Sequence, residues 1–310
     1  MTTQFEQTPP SPSGQPHEGR IARGFRLARE SFAVILSDRR LVVPPLLATS
    51  IMLLGTGAVF VPAVEVAPQH HGLVLLAIVL WLGTFAATFV GTFCNVALIH
   101  MVQRRWAGEE ATVRDGFDAA RERLGVIAAW SLVAATVGTV LRVLERVHYT
   151  QWIAALLSWV AGLAWGIATF FVVPALALEG LGPLRAIRRS SGVVRKRWAE
   201  GLTGGAVIGG AAALLMIPGL LVLVASVPIV VSSPATGMAV AAIGVLLFLP
   251  VATVFSAVSE VFTLAVYRYA SEGTIIGPFA ESDLARPFSS TKKRRSGGLR
   301  GLLARPSTEP

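Results

Sequence analysis

Long apolar runs alternate with short basic segments through most of this sequence. A helix needs about 20 apolar residues to cross a bilayer, and six runs approach or exceed that length. Their approximate limits are 41–64, 73–99, 124–140, 152–178, 202–231 and 237–269. Backbone polar groups inside lipid must be hydrogen-bonded within the chain, so each run is expected to be a helix. The sequence predicts an all-α fold, a polytopic membrane helical bundle with six transmembrane helices.

The composition agrees with a membrane-embedded chain. Hydrophobic residues make up 53% of the 310 positions and charged residues only 15%, which is far more apolar than a typical soluble domain. The net charge of +9 could indicate nucleic-acid binding, but the basic residues lie between apolar runs or in the tails. No nucleic-acid partner is therefore predicted. Cys94 is the only cysteine, which rules out a disulfide within one chain.

The distribution of basic residues predicts the orientation. All 27 basic residues except Arg142 and Arg146 fall before the first run, between runs two and three, between runs four and five, or from Arg268 onward. Loops rich in Lys and Arg stay in the cytoplasm, so both termini are expected to be cytoplasmic. The membrane is expected to be the plasma membrane of a bacterial cell. Residues 1–19 and the basic segment 276–310 are expected to be disordered tails of a membrane domain at 20–275.

Amphipathic segments precede runs one, three and five. The segment from Glu179 to Gly201 is predicted to be a surface helix, with an apolar side that includes Leu184, Ile187 and Val194. Its opposite side carries the candidate contacts to anionic lipid, which are Arg185, Arg188, Arg189, Arg195, Lys196 and Arg197. Similar surface helices are expected at 20–36 and 113–125, and in the second of these Thr112 and Asp115 resemble a capping box.

The three amphipathic segments align with one another. The stretches GFRLARESFAVIL from Gly24, GFDAARERLGVIA from Gly116 and GPLRAIRRSSGVV from Gly182 share an opening glycine and basic residues ahead of an apolar run. This pattern favours three repeats, each consisting of a surface helix and a transmembrane hairpin. The alternative is that any amphipathic helix leading into a span has this appearance.

Glu260 is the only acidic residue embedded in an apolar run, and an ionisable group within lipid is a functional candidate. Thr263 and Tyr267 share its helical face, so a polar cluster facing the bundle is one interpretation. The other interpretation places Glu260 at the cytoplasmic boundary, beside the basic helices. Both remain open from the sequence alone.

Glycine and proline mark expected contacts and bends. The spacings Gly162-xxx-Gly166 and Gly205-xxx-Gly209 allow close helix approach, within one chain or, alternatively, in a homo-oligomer. Pro174 is expected to bend the end of run four. Run five is expected to tilt or to break, with Pro218-Gly219 as the place for a break, and run six is expected to be interrupted at Pro250.

Three stretches resemble a family of uncharacterised six-span prokaryotic membrane proteins. These stretches are GFRLARESFAVILSDRRLVVPPLL at 24–47, PALALEGLGPLRAIRRSSGVVRKRW at 174–198 and FTLAVYRYASEG at 262–273. The layout is also similar to the membrane domain attached to some glycerophosphodiester phosphodiesterases, without the catalytic domain of those enzymes. The resemblance implies a fold and no established activity.

No catalytic motif, cofactor-binding motif or metal-binding spacing is found in the sequence. A non-enzymatic membrane protein that interacts with anionic lipid through its basic helices is therefore the first functional hypothesis. A transporter or exporter that uses Glu260 and the proline-containing runs five and six is the alternative.

Overall fold

The computed structural model describes residues 29, 31–35, 37–66, 72–147 and 151–272. Within these ranges, side chains are described for 29, 31–35, 37–55, 77–141, 156–195 and 208–271. The two predicted disordered tails and most of the first predicted surface helix, 20–36, lie outside the described residues.

The described chain is helical, as the apolar runs predict, and these ranges contain no strand. A short 3-10 helix, Arg39–Val42, leads into the first α-helix. The α-helices are α1 Val43–Val66, α2 Gly72–Trp106, α3 Val113–Glu122, α4 Leu124–Val147, α5 Gln151–Thr169, α6 Val172–Glu179, α7 Pro183–Ser232 and α8 Pro234–Glu272.

Five described segments are long and apolar enough to cross a membrane. They are Ala77–Trp106, Leu124–Leu141, Leu156–Glu179, Ile208–Ser232 and Pro234–Ser271. The first predicted run coincides with α1, a helix of 24 residues. Six spans arranged as three repeats remain a prediction.

Run four is divided at Phe170 and Phe171, a few residues before the expected bend. Pro174 explains the position, because a proline ring clashes with the carbonyl four residues earlier, here that of Phe170. The chain therefore leaves helical geometry at 170–171 and restarts as α6. The freed N–H of Phe171 donates to the Ser190 hydroxyl of α7 at 3.1 Å. A side chain from another helix thus compensates for the lost helical hydrogen bond.

The expected break at Pro218-Gly219 and the expected interruption at Pro250 are wrong, and a tilt of run five stays a prediction. Helix α7 runs without interruption for 50 residues, so the third predicted surface helix and run five form one helix. Pro218 lies inside α7 and Pro250 inside α8, and neither ends its helix. Prolines are tolerated inside membrane helices because neighbouring groups and small backbone adjustments compensate for the lost hydrogen bond.

Helices α7 and α8 form a tight hairpin in which only Ser233 is non-helical. Glycines allow the two backbones to approach closely. A Cβ atom added at Gly219 would lie 2.8 Å from the Phe248 nitrogen, and one at Gly244 would lie 2.8 Å from Leu223 Cγ. By contrast, an added Cβ at Gly162, Gly166 or Gly209 would meet nothing within 4 Å. Close packing between α7 and α8 therefore uses Gly219 and Gly244, and Gly205 lies outside the residues whose surroundings are described.

The buried core lies toward one end of the helices. It contains buried apolar residues from 96–102 near the end of α2, from 171–177 around α6 and from 255–267 in α8, together with Ile35 and Leu41. Large apolar side chains farther along the helices are exposed, for example Leu214 on α7 and Leu246 on α8. We call the packed region the junction end, because the polar segments between helices meet there.

Candidate functional site at the junction end

Three helices meet at one carboxylate oxygen. Glu179 is the last residue of α6, Arg189 lies in the second turn of α7, and Tyr267 lies near the end of α8. Arg189 Nε donates to Glu179 Oε1 at 2.9 Å, and the Tyr267 hydroxyl donates to the same oxygen. We call this arrangement the Glu179 junction.

Local sequence explains how Glu179 reaches this position. Gly180 follows it with φ +61°, a left-handed conformation that glycine adopts without strain, and its N–H donates to the Leu176 carbonyl. Pro183 then starts α7. A backbone N–H at the first position of a helix has no partner within the helix, so proline costs no hydrogen bond there. The short connection between these residues turns the chain back, so Arg189 lies beside the end of α6.

The Glu179 junction is half-exposed on one side and buried on the other. The side chains of Arg189 and Glu179 are 42% and 32% exposed, whereas Tyr267 is 1% exposed. Hydrogen bonds with Glu179 and then with Tyr267 raise the pKa of the Arg189 guanidinium, so it remains charged. Phe171 packs on the Tyr267 ring with centroids 5.7 Å apart. The buried ring therefore holds the phenol at a fixed position beneath the ion pair.

The first turns of α7 have one buried face and one basic face. The buried face consists of Ala186, Ser190, Val193 and Val194, of which Ala186 and Ser190 are fully buried. The opposite face exposes Arg185, Arg188, Arg189 and Arg195. The side chains of Lys196 and Arg197 lie outside the described set. We call Arg185, Arg188 and Arg195 the arginine face.

The buried face differs from the one predicted. Leu184, expected on the apolar side, is 68% exposed, and Ile187 is only half-buried. Small side chains explain this, because Ala186 and Ser190 allow α7 to approach the Phe171 backbone closely enough for the hydrogen bond described above. A prediction from hydrophobic periodicity gives leucine more weight than alanine and serine. The predicted buried face is therefore rotated by about one residue from the observed one, and Val194 belongs to both.

Glu260, Thr263 and Tyr267 share a side of α8 but do not share hydrogen bonds among the described contacts. Thr263 donates to the Ser259 carbonyl at 2.7 Å, and Tyr267 donates to Glu179. Glu260 Oε1 is buried and has no hydrogen-bond partner in the described part of the chain. The structure therefore brings Tyr267 to the Glu179 junction and leaves Glu260 apart from it.

A second polar junction joins α2, α3 and the start of α1. Arg104 contacts Glu109 at 2.9 Å and Asp115 at 3.3 Å, and Arg105 contacts Asp38 at 2.9 Å. The predicted capping box at the start of α3 is confirmed. Asp115 N donates to Thr112 Oγ1 at 3.2 Å, and Thr112 N donates to Asp115 Oδ2 at 3.0 Å.

Two acidic residues that organise these junctions were missed in the sequence. Asp38 and Glu179 each stand at the end of an apolar segment, and neither belongs to a recognisable motif. An acidic residue directly before a helix-ending Gly-Leu-Gly was a usable signal for Glu179, because a carboxylate at a helix C-terminus is unfavourable without a cation. No comparable signal links Asp38 to Arg105.

These features define an all-helical protein with five segments long and apolar enough to cross a membrane, in which the described ion pairs lie at one end of the bundle. The chain belongs to DUF6159, a family of unknown function, whose sequence profile matches residues 74–277. No curated protein matches the chain. Similarity to the membrane domain of the phosphodiesterases therefore remains a prediction.

Proposed function

We propose that this chain is a non-enzymatic membrane protein that binds anionic lipid headgroups through the basic face of α7, at the cytoplasmic side of a bacterial cell membrane. The observation that carries the proposal is the division of α7 into two faces. Ala186 and Ser190 are fully buried, while Arg185, Arg188 and Arg195 are exposed one or two turns apart.

Physical chemistry supports lipid headgroups as the partner. These arginines lie within the helix that continues into the apolar segment Ile208–Ser232. Arg195 is 13 residues before that segment, about 20 Å along a straight helix, so the arginines are on the side from which the segment enters a bilayer. Guanidinium groups bind phosphate through paired N–H donors, and a basic residue near an anionic surface contributes about 1 kcal/mol. Neutral lipid surfaces provide no comparable attraction.

The test uses the purified full chain in neutral detergent micelles. Fluorescence anisotropy measures binding of a labelled phosphatidylglycerol, with labelled phosphatidylcholine as the neutral comparison. We expect tighter binding of phosphatidylglycerol that weakens as salt is raised, because salt screens exposed charges. Replacing Arg185, Arg188 and Arg195 by Gln should weaken it by about 1 kcal/mol for each arginine.

The matched control replaces Arg142 and Arg146 by Gln. These residues lie near the end of α4, beyond the other boundary of an apolar segment, and are not expected to affect binding. Equal affinity for the two lipids would contradict the proposal. So would an equal loss of affinity in the control variant.

Transport is the second candidate function, and Glu260 is the observation that favours it. An acidic side chain in the apolar segment Pro234–Ser271, with one buried oxygen that has no described partner, is a candidate ion or proton site. Flux of a panel of small solutes into proteoliposomes should then fall in Glu260→Gln and persist in Glu110→Gln, which changes an exposed loop residue. Flux that is unchanged in Glu260→Gln removes the support for this function.

A further inference from the structure

We infer that Arg189 and Tyr267 form a binding site for a phosphate group, and that Glu179 closes this site from within the chain. The inference rests on the proposed function and deepens it, because it names one site for the headgroup phosphate. Both donors already bind an anionic oxygen, that of Glu179. An external phosphate oxygen would replace this carboxylate oxygen.

The donors suit a phosphate. Arg189 provides a charged guanidinium and Tyr267 a hydroxyl, and charge-assisted hydrogen bonds from such donors are shorter and stronger than neutral ones. Arg185 and Arg188 are exposed on the same turns of α7 and add positive charge around the site. The surroundings therefore attract an anion.

Glu179 can leave the two donors without disturbing the core. Its side chain is 32% exposed, so the carboxylate can rotate toward solvent. The residues of α6 before it, such as Ala175 and Leu176, are buried and stay in place during that rotation.

The exposure pattern indicates that the site is closed. Tyr267 is 1% exposed, and its hydroxyl donates to Glu179, whose own side chain is 32% exposed. A phosphate from outside therefore reaches the phenol only after Glu179 leaves. Removing the Glu179 carboxylate should open the site and increase affinity for the headgroup.

The experiment compares Glu179→Ala with Glu110→Ala in the purified full chain, using the same labelled phosphatidylglycerol and phosphatidylcholine. Glu110→Ala is the matched control, because it removes one negative charge from an exposed loop at the junction end. We expect Glu179→Ala to bind phosphatidylglycerol about fivefold more tightly than Glu110→Ala does, equivalent to about one extra basic contact. Glu179→Gln, which keeps the side-chain size, should change affinity in the same direction.

Tyr267→Phe separates a binding role from a structural one. In the original chain it should change affinity little, because the phenol is covered. Combined with Glu179→Ala it should reduce the gain, because the opened site then keeps the Arg189 donor and lacks the phenol. A purely structural junction would instead lower thermal stability in both backgrounds and leave lipid affinity unchanged.

Inorganic phosphate distinguishes the source of the ligand. Displacement of the labelled lipid from Glu179→Ala by inorganic phosphate, but not by chloride at equal ionic strength, assigns the site to free phosphate. Gain of lipid affinity without displacement assigns it to a headgroup phosphate. Either result supports a phosphate site.

Two results overturn the inference, and they differ in what they mean for the proposed function. If the original chain prefers phosphatidylglycerol but neither Glu179→Ala nor Glu179→Gln binds it more tightly than the control, only the Glu179 site is wrong. If neither the original chain nor any variant prefers phosphatidylglycerol to phosphatidylcholine, the proposed function and the site both fail.

Discussion

Asp38 Oδ2 lies 2.9 Å from Arg105 Nη1, although the two residues are 67 positions apart in the chain. Asp38 precedes the 3-10 helix before α1, and Arg105 is the penultimate residue of α2. The start of α1 and the end of α2 therefore meet at the same end of the bundle. The other carboxylate oxygen of Asp38 accepts from Arg40 N at 2.9 Å, so both oxygens are used.

The two roles of Asp38 can be separated by substitution. Asp38→Ala removes the cap and the ion pair, and we expect a loss of about 1–2 kcal/mol in unfolding free energy. Asp38→Asn keeps an acceptor for Arg40 N and should lose less than about 1 kcal/mol. Thermal unfolding in detergent measures both. Equal stability of Asp38→Ala and the original chain would contradict the structural role of this residue.

The capping box at α3 predicts a pH effect. Hydrogen bonding with the Thr112 side chain, and then with the Thr112 backbone N–H, lowers the pKa of the Asp115 carboxyl group. Because the pKa of Asp115 is lower in the folded chain, its ionised carboxylate stabilises α3 at pH values above the ordinary aspartate pKa of about 4. This stabilisation is lost as the pH falls through the pKa that Asp115 has in the folded chain. Hydrogen exchange of residues 113–122, corrected for the intrinsic pH dependence, should rise in acid.

Asp115→Asn provides the control for this effect. The pH-dependent part of the exchange should disappear in that variant, while Thr112→Ala should raise exchange at every pH because it removes the N-cap acceptor, at a cost of about 1 kcal/mol. An acid-dependent rise that persists unchanged in Asp115→Asn would show that another group is responsible.

Gly116 holds α3 against α2. A Cβ at Gly116 would lie 2.8 Å from Met101 Cγ and 2.9 Å from the Ala97 carbonyl oxygen, which is part of the α2 backbone. Gly116→Ala should therefore displace α3 and destabilise the chain by about 1–3 kcal/mol. Thermal unfolding measures the change, and faster hydrogen exchange in 113–122 should accompany it.

Gly125 supplies a matched helical glycine for this measurement. Nothing lies within 4 Å of its added Cβ, so Gly125→Ala should raise stability by up to about 1 kcal/mol through helix propensity alone. If Gly116→Ala and Gly125→Ala had the same effect, close contact between α2 and α3 at Gly116 would be wrong.

The sequence predicts the helices well because their signals are local. Apolar run length gave the all-α fold, and the Thr112–Asp115 spacing gave the cap, since both depend on residues close together in the chain. Pro174 gave a bend, but the sequence did not show that the hydroxyl of Ser190 would accept from the freed N–H of Phe171. That contact depends on how α7 packs against α6.

The Glu179 junction could not be predicted for the same reason. Tyr267 was selected as a companion of Glu260 because the two share a side of α8, yet its hydroxyl binds Glu179, 88 positions away. Helical periodicity identifies residues on one face of one helix. It does not identify which residue of another helix that face meets.

The most direct test of the account is the side of the membrane on which the arginine face lies. In a Cys94→Ala background, single cysteines are introduced as Ser233→Cys, Glu110→Cys and Arg188→Cys, all at exposed positions. Intact cells are then treated with a membrane-impermeant thiol reagent. We predict labelling at Ser233→Cys, and labelling of Glu110→Cys and Arg188→Cys only after the membrane is opened. Efficient labelling of Arg188→Cys in intact cells would contradict the cytoplasmic placement of the arginine face and the binding of inner-leaflet lipid that depends on it.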